Sequence, residues 1–283
     1  MKSFRELLDL ATSKLKTTSE TPALDARILL KSILKKDDLY LLTHGEDLVS
    51  INEEELFFSQ VEQRSQGKPI AYIIGEKEFM GLRFKVTKDT LIPRPDTEIL
   101  VEEAIEQIRE RDYKDVLDLC SGSGAIGLSI AKFLEFTNVT LSDINKGALL
   151  VSEANGEFLG VSHRLTYIES DLFEKIHGKF DLITCNPPYI NLKDYRELSK
   201  NVKDFEPELA LYGGVSGLDF YEKISKESKN HLKDGGMIIF EIGYDQSQEV
   251  EKMLKNNNFK NIKILKDLSG RDRVISGVLV PET

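Results

Sequence analysis

The first quarter of the chain places apolar residues at the spacing of helices that bury one face. In FRELLDLATSKL they recur three and four residues apart. Thr21 then precedes Pro22, an order typical of a helix start, and ALDARILLKSIL keeps the same spacing. We expect Asn52 to cap a further helix, EEELFFSQVEQR, that ends at Gly67. The pattern predicts a small all-helical domain over residues 1–75.

Residues 76–96 follow a different pattern, which indicates a hairpin and a linker. EFMGLRFKV alternates polar and apolar positions around Gly81, as β-hairpins do. IPRPD then contains two prolines, which stiffen the connection. A helical segment, TEILVEEAIEQIRERD, comes next, and we expect Asp96 or Thr97 to cap it.

From residue 97 to residue 283, strand-like and helical patterns alternate. The strand-like runs are VLDL, VTLSD, LTYIES, DLITC and MIIFEIG, and most are separated by amphipathic segments such as GAIGLSIAKFL. Such alternation predicts βαβ units and a mainly parallel sheet. The tail IKILKDLSGRDRVISGVLV has no helix between its two strands, so we expect an antiparallel hairpin that turns near Ser269 and Gly270 at the sheet edge. The fold class is therefore α/β, with a Rossmann-like, seven-stranded sheet.

The segment LDLCSGSGAIG connects the first of these strands to its helix. Gly122, Gly124 and Gly127 match the G-x-G-x-x-G pattern of nucleotide-binding loops, in which backbone N–H groups approach a ligand. Asp143 ends the second strand, where a carboxylate can bind ribose hydroxyls. The pattern indicates NAD or S-adenosylmethionine, and a tight turn without a ligand is the alternative.

Two further acidic residues bear on that choice. Asp118 lies inside the first strand, where it suits the cationic methionine end of S-adenosylmethionine better than an anionic pyrophosphate. It could contact that end directly or through backbone groups, or it could only stabilise the loop. Asp171 follows the third strand and could accept from an adenine amino group or cap the next turn.

The fourth strand ends in DLITCNPPYIN. Pro187 and Pro188 fix two backbone φ angles and remove two donors, so the chain leaves the strand as a stiff, extended loop. The loop carries the amide of Asn186, backbone carbonyls and the ring of Tyr189. It therefore offers a rigid set of hydrogen-bond acceptors.

The charge and composition of the chain argue against some kinds of protein, among them nucleic-acid-binding and membrane-spanning proteins. The chain of 283 residues carries a formal net charge of −10 and no dense basic block, which argues against a nucleic-acid substrate without excluding one. The apolar runs are too short to span a membrane, and two cysteines without an export signal favour a reducing cytoplasm. The four histidines are scattered, so we predict no metal site.

The motif order carries a resemblance to a known family. VLDLCSGSGAIG, SDI, SDLF and NPPYI follow one another as in class I methyltransferases that act on planar nitrogen atoms. With GKPIAYIIGEKEFMGLRF, LIPRPDTE and FEPELALYGGVSGLDFY, the chain resembles, essentially end to end, the protein-(glutamine-N5) methyltransferases of peptide chain release factors, the PrmC or HemK family. The resemblance implies S-adenosylmethionine as cofactor and, as substrate, the glutamine of the Gly-Gly-Gln loop of class 1 release factors. It also implies that residues 97–283 form the methyltransferase domain. Because the cofactor motifs of this domain are complete without residues 1–75, we predict that residues 1–75 recognise the protein substrate, and we expect a monomer.

The resemblance also implies the site residues. An amide nitrogen is a poor nucleophile, because its lone pair is delocalised into the carbonyl. The side-chain oxygen of Asn186 and the backbone oxygen of Pro187 would accept from both N–H groups of the substrate amide, and Tyr189 would lay its ring against it. The catalytic residues are then Asn186, Pro187 and Tyr189, and Pro188 joins them in binding the substrate. The expected cofactor-binding residues are Cys120, Ser121, Gly122, Ser123, Gly124, Asp143, Asp171, Leu172 and Asn186. Cys120 departs from the family pattern, which usually has glycine there, and Leu172 stands where an aromatic residue is common.

Several interpretations stay open at this point. The same NPPY motif serves methylation of exocyclic amines in DNA adenine and ribosomal RNA guanine, and an NAD-dependent oxidoreductase or a non-catalytic binding module would also use the glycine loop. Arg94 and Glu98 could order the pocket or form an ordinary ion pair. Glu206 and Glu241 could shape the site or serve local structure. Cys120 and Cys185 end the first and fourth strands, which we expect to be neighbours, so both should lie near the pocket as free thiols.

Overall fold

The computed structural model describes residues 1–280, and these form two compact units. Unit 1 comprises Met1–Glu76 together with Ser199–Phe205. Unit 2 comprises residues 77–198 and the chain from Glu206 onward. Among residues 1–280, no helix has the length and apolar character that a membrane span requires.

Unit 1 is helical. It contains α1 (Phe4–Leu15), α2 (Pro22–Leu34), α3 (Asp38–Thr43), α4 (Ile51–Ser65) and α5 (Ile70–Ile74). Their apolar faces share one core, in which Leu7, Leu29 and Phe57 are fully buried. The helices predicted from apolar spacing are confirmed, whereas α3 and α5 are too short to give a periodic signal.

The helix cap predicted at Asn52 is wrong, and Thr21 precedes its helix without capping it through its side chain. Ser50, not Asn52, caps α4, because Ser50 and Glu53 each accept a hydrogen bond from the other's backbone N–H in a capping box. Thr21 does precede α2, but its hydroxyl donates to the Asp25 carboxylate and caps no backbone N–H. In both cases an acidic side chain in the first turn of the helix decides the outcome: Glu53 pairs with Ser50, and Asp25 takes the hydrogen bond of Thr21.

The predicted hairpin is confirmed. β1 (Glu76–Phe79) and β2 (Leu82–Lys85) form a two-stranded sheet. Met80 and Gly81 connect them with φ angles of +53° and +70°. Two residues with positive φ make the turn whose twist matches that of paired strands.

The main sheet of unit 2 has seven strands among the described residues. They are β3 (Asp115–Leu119), β4 (Asn138–Asp143), β5 (Leu165–Glu169), β6 (Phe180–Cys185), β7 (Leu232–Glu241), β8 (Phe259–Lys266) and β9 (Asp272–Leu279). The order is β5-β4-β3-β6-β7-β9-β8, with β3 to β7 parallel and β9 antiparallel to both of its neighbours. The predicted Rossmann-like sheet and its C-terminal edge hairpin are confirmed.

Helices cover both faces of this sheet. They are α6 (Glu98–Arg111), α7 (Ala125–Phe133), α8 (Lys146–Leu159), α11 (Asp219–Glu227) and α12 (Ser247–Asn256). The short α9 (Leu192–Glu197), which buries no residue, follows the NPPY segment, and α10 (Lys200–Lys203) belongs to unit 1. Successive residues of β3 point to opposite faces: Val116 joins a core with α6 and α7, and Leu117 and Leu119 join one with α11 and α12. Both faces are therefore buried, as in other parallel sheets.

The strand order reverses beside β3, which lies between β4 and β6. Leu119 pairs with Cys185 in the β3–β6 register. The glycine loop after β3 and the NPPY segment after β6 therefore leave the sheet side by side. A crevice outside the carboxyl ends of the strands at such a reversal is the usual ligand position in open α/β sheets.

Candidate active site

A pocket in unit 2 lies at the carboxyl ends of β3, β4 and β6. Most of the residues predicted to bind cofactor or substrate line it: Cys120, Ser121, Gly122, Ser123, Asp143, Asp171, Leu172, Asn186 and Pro188. Gly124, Pro187 and Tyr189 lie next to them in the chain but do not line this pocket. The fold thus brings together residues from the ends of four strands, β3, β4, β5 and β6.

The glycine loop owes its shape to backbone conformations that favour glycine. Gly122 and Gly124 have φ angles of +55° and +80°. A Cβ at Gly124 would also lie 2.3 Å from the Ser152 hydroxyl, closer than any real contact. Cys120 has a φ of +54°, so it adopts a conformation that glycine occupies more readily. The side chain at Cys120 is accommodated at some cost in strain, and the turn of the loop is kept.

Asp143 holds the glycine loop and the following turn together. Its carboxylate accepts from the backbone N–H of Gly122 at 2.8 Å and from that of Asn145, also at 2.8 Å. Burial raises the pKa of Asp143, and these backbone hydrogen bonds oppose the rise. Because each carboxylate oxygen has two lone pairs, Asp143 keeps capacity to accept from a ligand in the pocket.

Asp118 stabilises the glycine loop through a hydrogen bond, although it does not line the pocket among the described residues. It is fully buried, accepting from the backbone N–H of Gly127 at 2.9 Å and from the Thr184 hydroxyl at 3.0 Å. Burial raises its pKa to about 7. Asp118 is absent from the described residues that line the pocket, so the geometry favours the interpretation that it stabilises the loop.

The NPPY segment rests on two residues that are distant in sequence. Asn186 Nδ2 donates to Thr97 Oγ1 at 3.4 Å, and that hydroxyl donates to Glu241 Oε2 at 2.5 Å. The Tyr189 hydroxyl donates to the other carboxylate oxygen of Glu241 at 3.3 Å. Pro187, which follows Asn186 in the chain, is buried. A connected set of side chains therefore lies beneath the loop.

Thr97 was expected only as a helix cap, and this expectation is wrong in part. Thr97 does precede α6, but no capping hydrogen bond involves its side chain, which bonds to Glu241 and Asn186. No local pattern could reveal this, because Thr97 and Glu241 are 144 residues apart. The strand-end position of Glu241 was the one available signal.

The ion pair considered for Arg94 has a different partner. Arg94 lines the pocket and its Nη2 lies 2.6 Å from Glu206 Oε1, whereas Glu98 accepts from the backbone N–H of Met80 at 2.6 Å. Glu206 is buried, so the pair fixes the segment before Pro207 against the pocket wall. Glu98 instead anchors the hairpin turn.

The two cysteines are neighbours at the base of the site. Both are free thiols; Cys120 lines the pocket and Cys185 is buried at the end of β6. Burial raises the pKa of the Cys185 thiol, and the nearby Cys120 adds to the effect. Cys185 therefore stays protonated and acts as a small apolar side chain.

The lining fits a nucleoside that carries a cationic end. The buried hydroxyls of Ser121 and Ser142, which both line the pocket, have no hydrogen-bond partner among the described residues. Ile144 and Leu172 add apolar surface to the lining that contains the Asp143 carboxylate. Hydroxyls, a carboxylate and apolar walls are what ribose and adenine require, and acidic side chains suit a positive charge.

Comparison with known proteins gives concordant matches. Residues 6–75 match the PrmC N-terminal domain, and residues 95–202 match the methyltransferase small domain. A protein named release factor glutamine methyltransferase from Clostridium acetobutylicum is 44% identical over 278 residues, covering 97% of this chain and 98% of its own length. A protein of the same name from Fusobacterium nucleatum is 41% identical, covering 90% of this chain and 72% of its own.

Solved structures agree on the fold. A methyltransferase from Pyrococcus furiosus superposes with a TM-score of 0.54 at 16% identity, covering 79% of this chain and 99% of its own. At that identity the likeness concerns the fold alone.

Proposed function

Because this chain belongs to the release factor glutamine methyltransferase family, we propose that it methylates the Gly-Gly-Gln glutamine of class 1 peptide chain release factors. The methyl group comes from S-adenosylmethionine and goes to the side-chain amide nitrogen. The observation that carries the proposal is the position of Asn186, which lines the pocket directly beside the glycine loop. An acceptor for an amide N–H thus lies next to the expected cofactor site.

Asp143 and the glycine loop would hold the cofactor. The Asp143 carboxylate would accept from the ribose hydroxyls, and backbone and hydroxyl groups of residues 120–124 would receive the methionine end. Asp171 and Leu172, which line the same pocket, would contact the adenine. S-adenosylmethionine supplies the electrophilic methyl group when bound. Support comes from the unpartnered hydroxyl of Ser121 and from the φ angles of Gly122 and Gly124.

Asn186 and Pro187 would position the glutamine. The side-chain oxygen of Asn186 and the backbone oxygen of Pro187 accept from the two N–H groups, which turns the nitrogen toward the methyl group. Tyr189 would lay its ring against the amide and favour the positive charge that develops on it. Holding the reacting atoms in line can lower the barrier by several kcal/mol, up to about 7–11 in ideal cases. After transfer the nitrogen loses its extra proton to solvent.

Methyl transfer to purified release factor tests the proposal. With labelled S-adenosylmethionine, we expect label in the factor and a mass increase of one methyl group on the Gly-Gly-Gln glutamine. A Gly-Gly-Ala factor is the matched control and should take up no label. Label in both factors alike, or label only in added DNA or ribosomal RNA, would refute the proposed substrate.

We also propose that unit 1 contacts the release factor away from the Gly-Gly-Gln loop. Leu39 and Leu42 of α3 are 70% and 76% exposed and lie three residues apart, which places them on one face of the helix. Changing both to serine should raise KM for the intact factor but not for a short Gly-Gly-Gln peptide. Leu268→Ser, in the exposed turn between β8 and β9, is the matched control. Equal KM values for all three enzymes would count against recognition by α3.

A further inference from the structure

Glu241 is a buried carboxylate for which the proposed chemistry gives no role. It ends β7 and is 1% exposed. Each of its two oxygens accepts from a different hydroxyl: Oε2 from Thr97 and Oε1 from Tyr189. Burial raises the pKa of Glu241, whereas the hydrogen bond from Thr97 and the charge of Arg273 oppose the rise. A buried carboxylate is costly unless it is paired and hydrogen-bonded, so this arrangement needs an explanation.

The direction of these hydrogen bonds fixes the role of Thr97. Glu241 Oε2 accepts from the Thr97 hydroxyl, so the one hydroxyl hydrogen of Thr97 is used in that bond. The Thr97 oxygen can then only accept from its second partner. That partner is the Asn186 amide, and the atom facing Thr97 must be the nitrogen, at 3.4 Å.

This constraint determines which end of the Asn186 amide is left for the pocket. An amide has one NH₂ donor group and one oxygen acceptor. With the nitrogen directed at Thr97, the oxygen remains for a ligand of the pocket that Asn186 lines. The flipped amide would present an NH₂ group to the NH₂ group of a substrate amide, and two donors cannot bond to each other.

We propose that Thr97 and Glu241 are positioning residues that hold Asn186 with its side-chain oxygen toward the substrate nitrogen. The inference rests on the proposed function, since it assumes an amide N–H as the group that Asn186 receives. Tyr189 is held through the same carboxylate, so Glu241 orients both polar side chains of the NPPY segment. Neither Thr97 nor Glu241 takes part in bond making.

Removing the Thr97 hydroxyl at constant shape tests the inference. Thr97→Val should lower kcat by about 10- to 100-fold while leaving the dissociation constant of S-adenosylmethionine within about threefold. Thr97→Ser keeps the hydroxyl and should restore kcat to within about threefold of the wild type. Thr137→Val is the matched control: Thr137 is buried and donates to the Leu134 carbonyl, away from the pocket. It should change thermal stability but not kcat.

A second set of variants separates positioning from a structural role. In an Asn186→Ala background, Thr97→Val and Glu241→Gln should lower kcat no further, because the amide that they orient is gone. If Thr97→Val does not fold, Thr97→Ala is measured in its place, again with Thr97→Ser as the control that keeps the hydroxyl. Unchanged kcat in Thr97→Val, or losses that multiply in the Asn186→Ala background, would overturn the inference. An inactive wild-type enzyme in the same assay would instead overturn the proposed function and this inference with it.

Discussion

The two halves of the pocket are built by different means. The half proposed to bind the cofactor, called the cofactor half, consists of residues 120–124 with Asp143, and backbone N–H groups and one carboxylate hold it together. The half proposed to position the substrate amide, called the acceptor half, consists of Asn186–Tyr189 with Thr97 and Glu241, and side chains from three elements hold it together. In the first, Asp143 and Gly122 are 21 residues apart; in the second, Thr97 and Glu241 are 144 apart.

This difference suggests a division of labour. Backbone groups in a glycine loop present fixed donors to a ligand, which suits tight binding of a cofactor. A loop stiffened by prolines with oriented side chains suits the alignment of a reacting atom, which affects the rate more than the affinity. Changes in the cofactor half should therefore appear in binding, and changes in the acceptor half in turnover.

The largest effect is expected from Asn186→Ala. Loss of the amide should lower kcat by about 100- to 1,000-fold, as for the loss of other preorganised transition-state contacts, and change cofactor affinity by less than about fivefold. Asn191→Ala is the matched control, since Asn191 caps α9 a few residues further along and does not line the pocket among the described residues. Single-turnover transfer and equilibrium binding measure the two quantities. If Asn186→Ala weakened cofactor binding as much as it lowered kcat, the proposed separation of binding and turnover between the two halves would be wrong.

Asp143→Ala should give the converse result. Without the carboxylate, the dissociation constant of S-adenosylmethionine should rise by about 10- to 100-fold, because hydrogen bonds to a charged group are lost. Transfer at saturating cofactor should stay within about fivefold of the wild type. Asp171→Ala, an exposed acid in the same pocket, should weaken binding less. A kcat that falls with no change in cofactor affinity would contradict the assignment.

Asp118, which supports the glycine loop of the cofactor half, makes the free energy of unfolding depend on pH. Its pKa of about 7 in the folded state, against 3.8 ordinarily, means that the folded chain binds this proton more tightly than the unfolded chain. The contribution of Asp118 to stability is therefore present at about pH 4 and is lost as the pH rises through about 7.

Asp118→Asn should remove that dependence. Asparagine can accept from Gly127 and donate to Thr184, whose hydroxyl can turn to the Leu117 carbonyl, 3.5 Å away. The difference in unfolding free energy between variant and wild type should change by up to about 1 kcal/mol per pH unit between pH 4 and 7. Denaturant titrations across this range measure it. A difference that does not vary with pH would show that Asp118 ionises normally.

The smallest effect is expected from Cys120→Gly. Glycine relieves the strain of a φ of +54° but adds freedom to the unfolded chain, so stability should change by less than about 1 kcal/mol. If Cys120 meets the cofactor through its backbone, affinity should stay within about threefold. A rise of more than about tenfold in the dissociation constant would assign the contact to the thiol instead.

The sequence predicted the fold, and most of the loop residues that it singled out line one pocket. Apolar periodicity gave the alternating strands and helices, and the glycines and Asp143 are recognisable because their spacing is short. The hydrogen bond between Thr97 and Glu241 could not be predicted from the sequence. It forms only because the fold brings the end of β7 and the start of α6 together beside the NPPY segment. The cap at Ser50 was missed for a related reason: Ser50 and Asn52 are both capping residues, and the capping box with Glu53 selects Ser50.

The double variant Asp143→Ala/Asn186→Ala tests the separation of the two halves most directly. Transfer to release factor should be measured at a cofactor concentration below the dissociation constant, for the wild type, both single variants and the double variant. If the halves act independently, the loss in the double variant equals the product of the single losses within about twofold. A double variant no slower than Asn186→Ala alone would show that the halves act as one unit and would contradict the account.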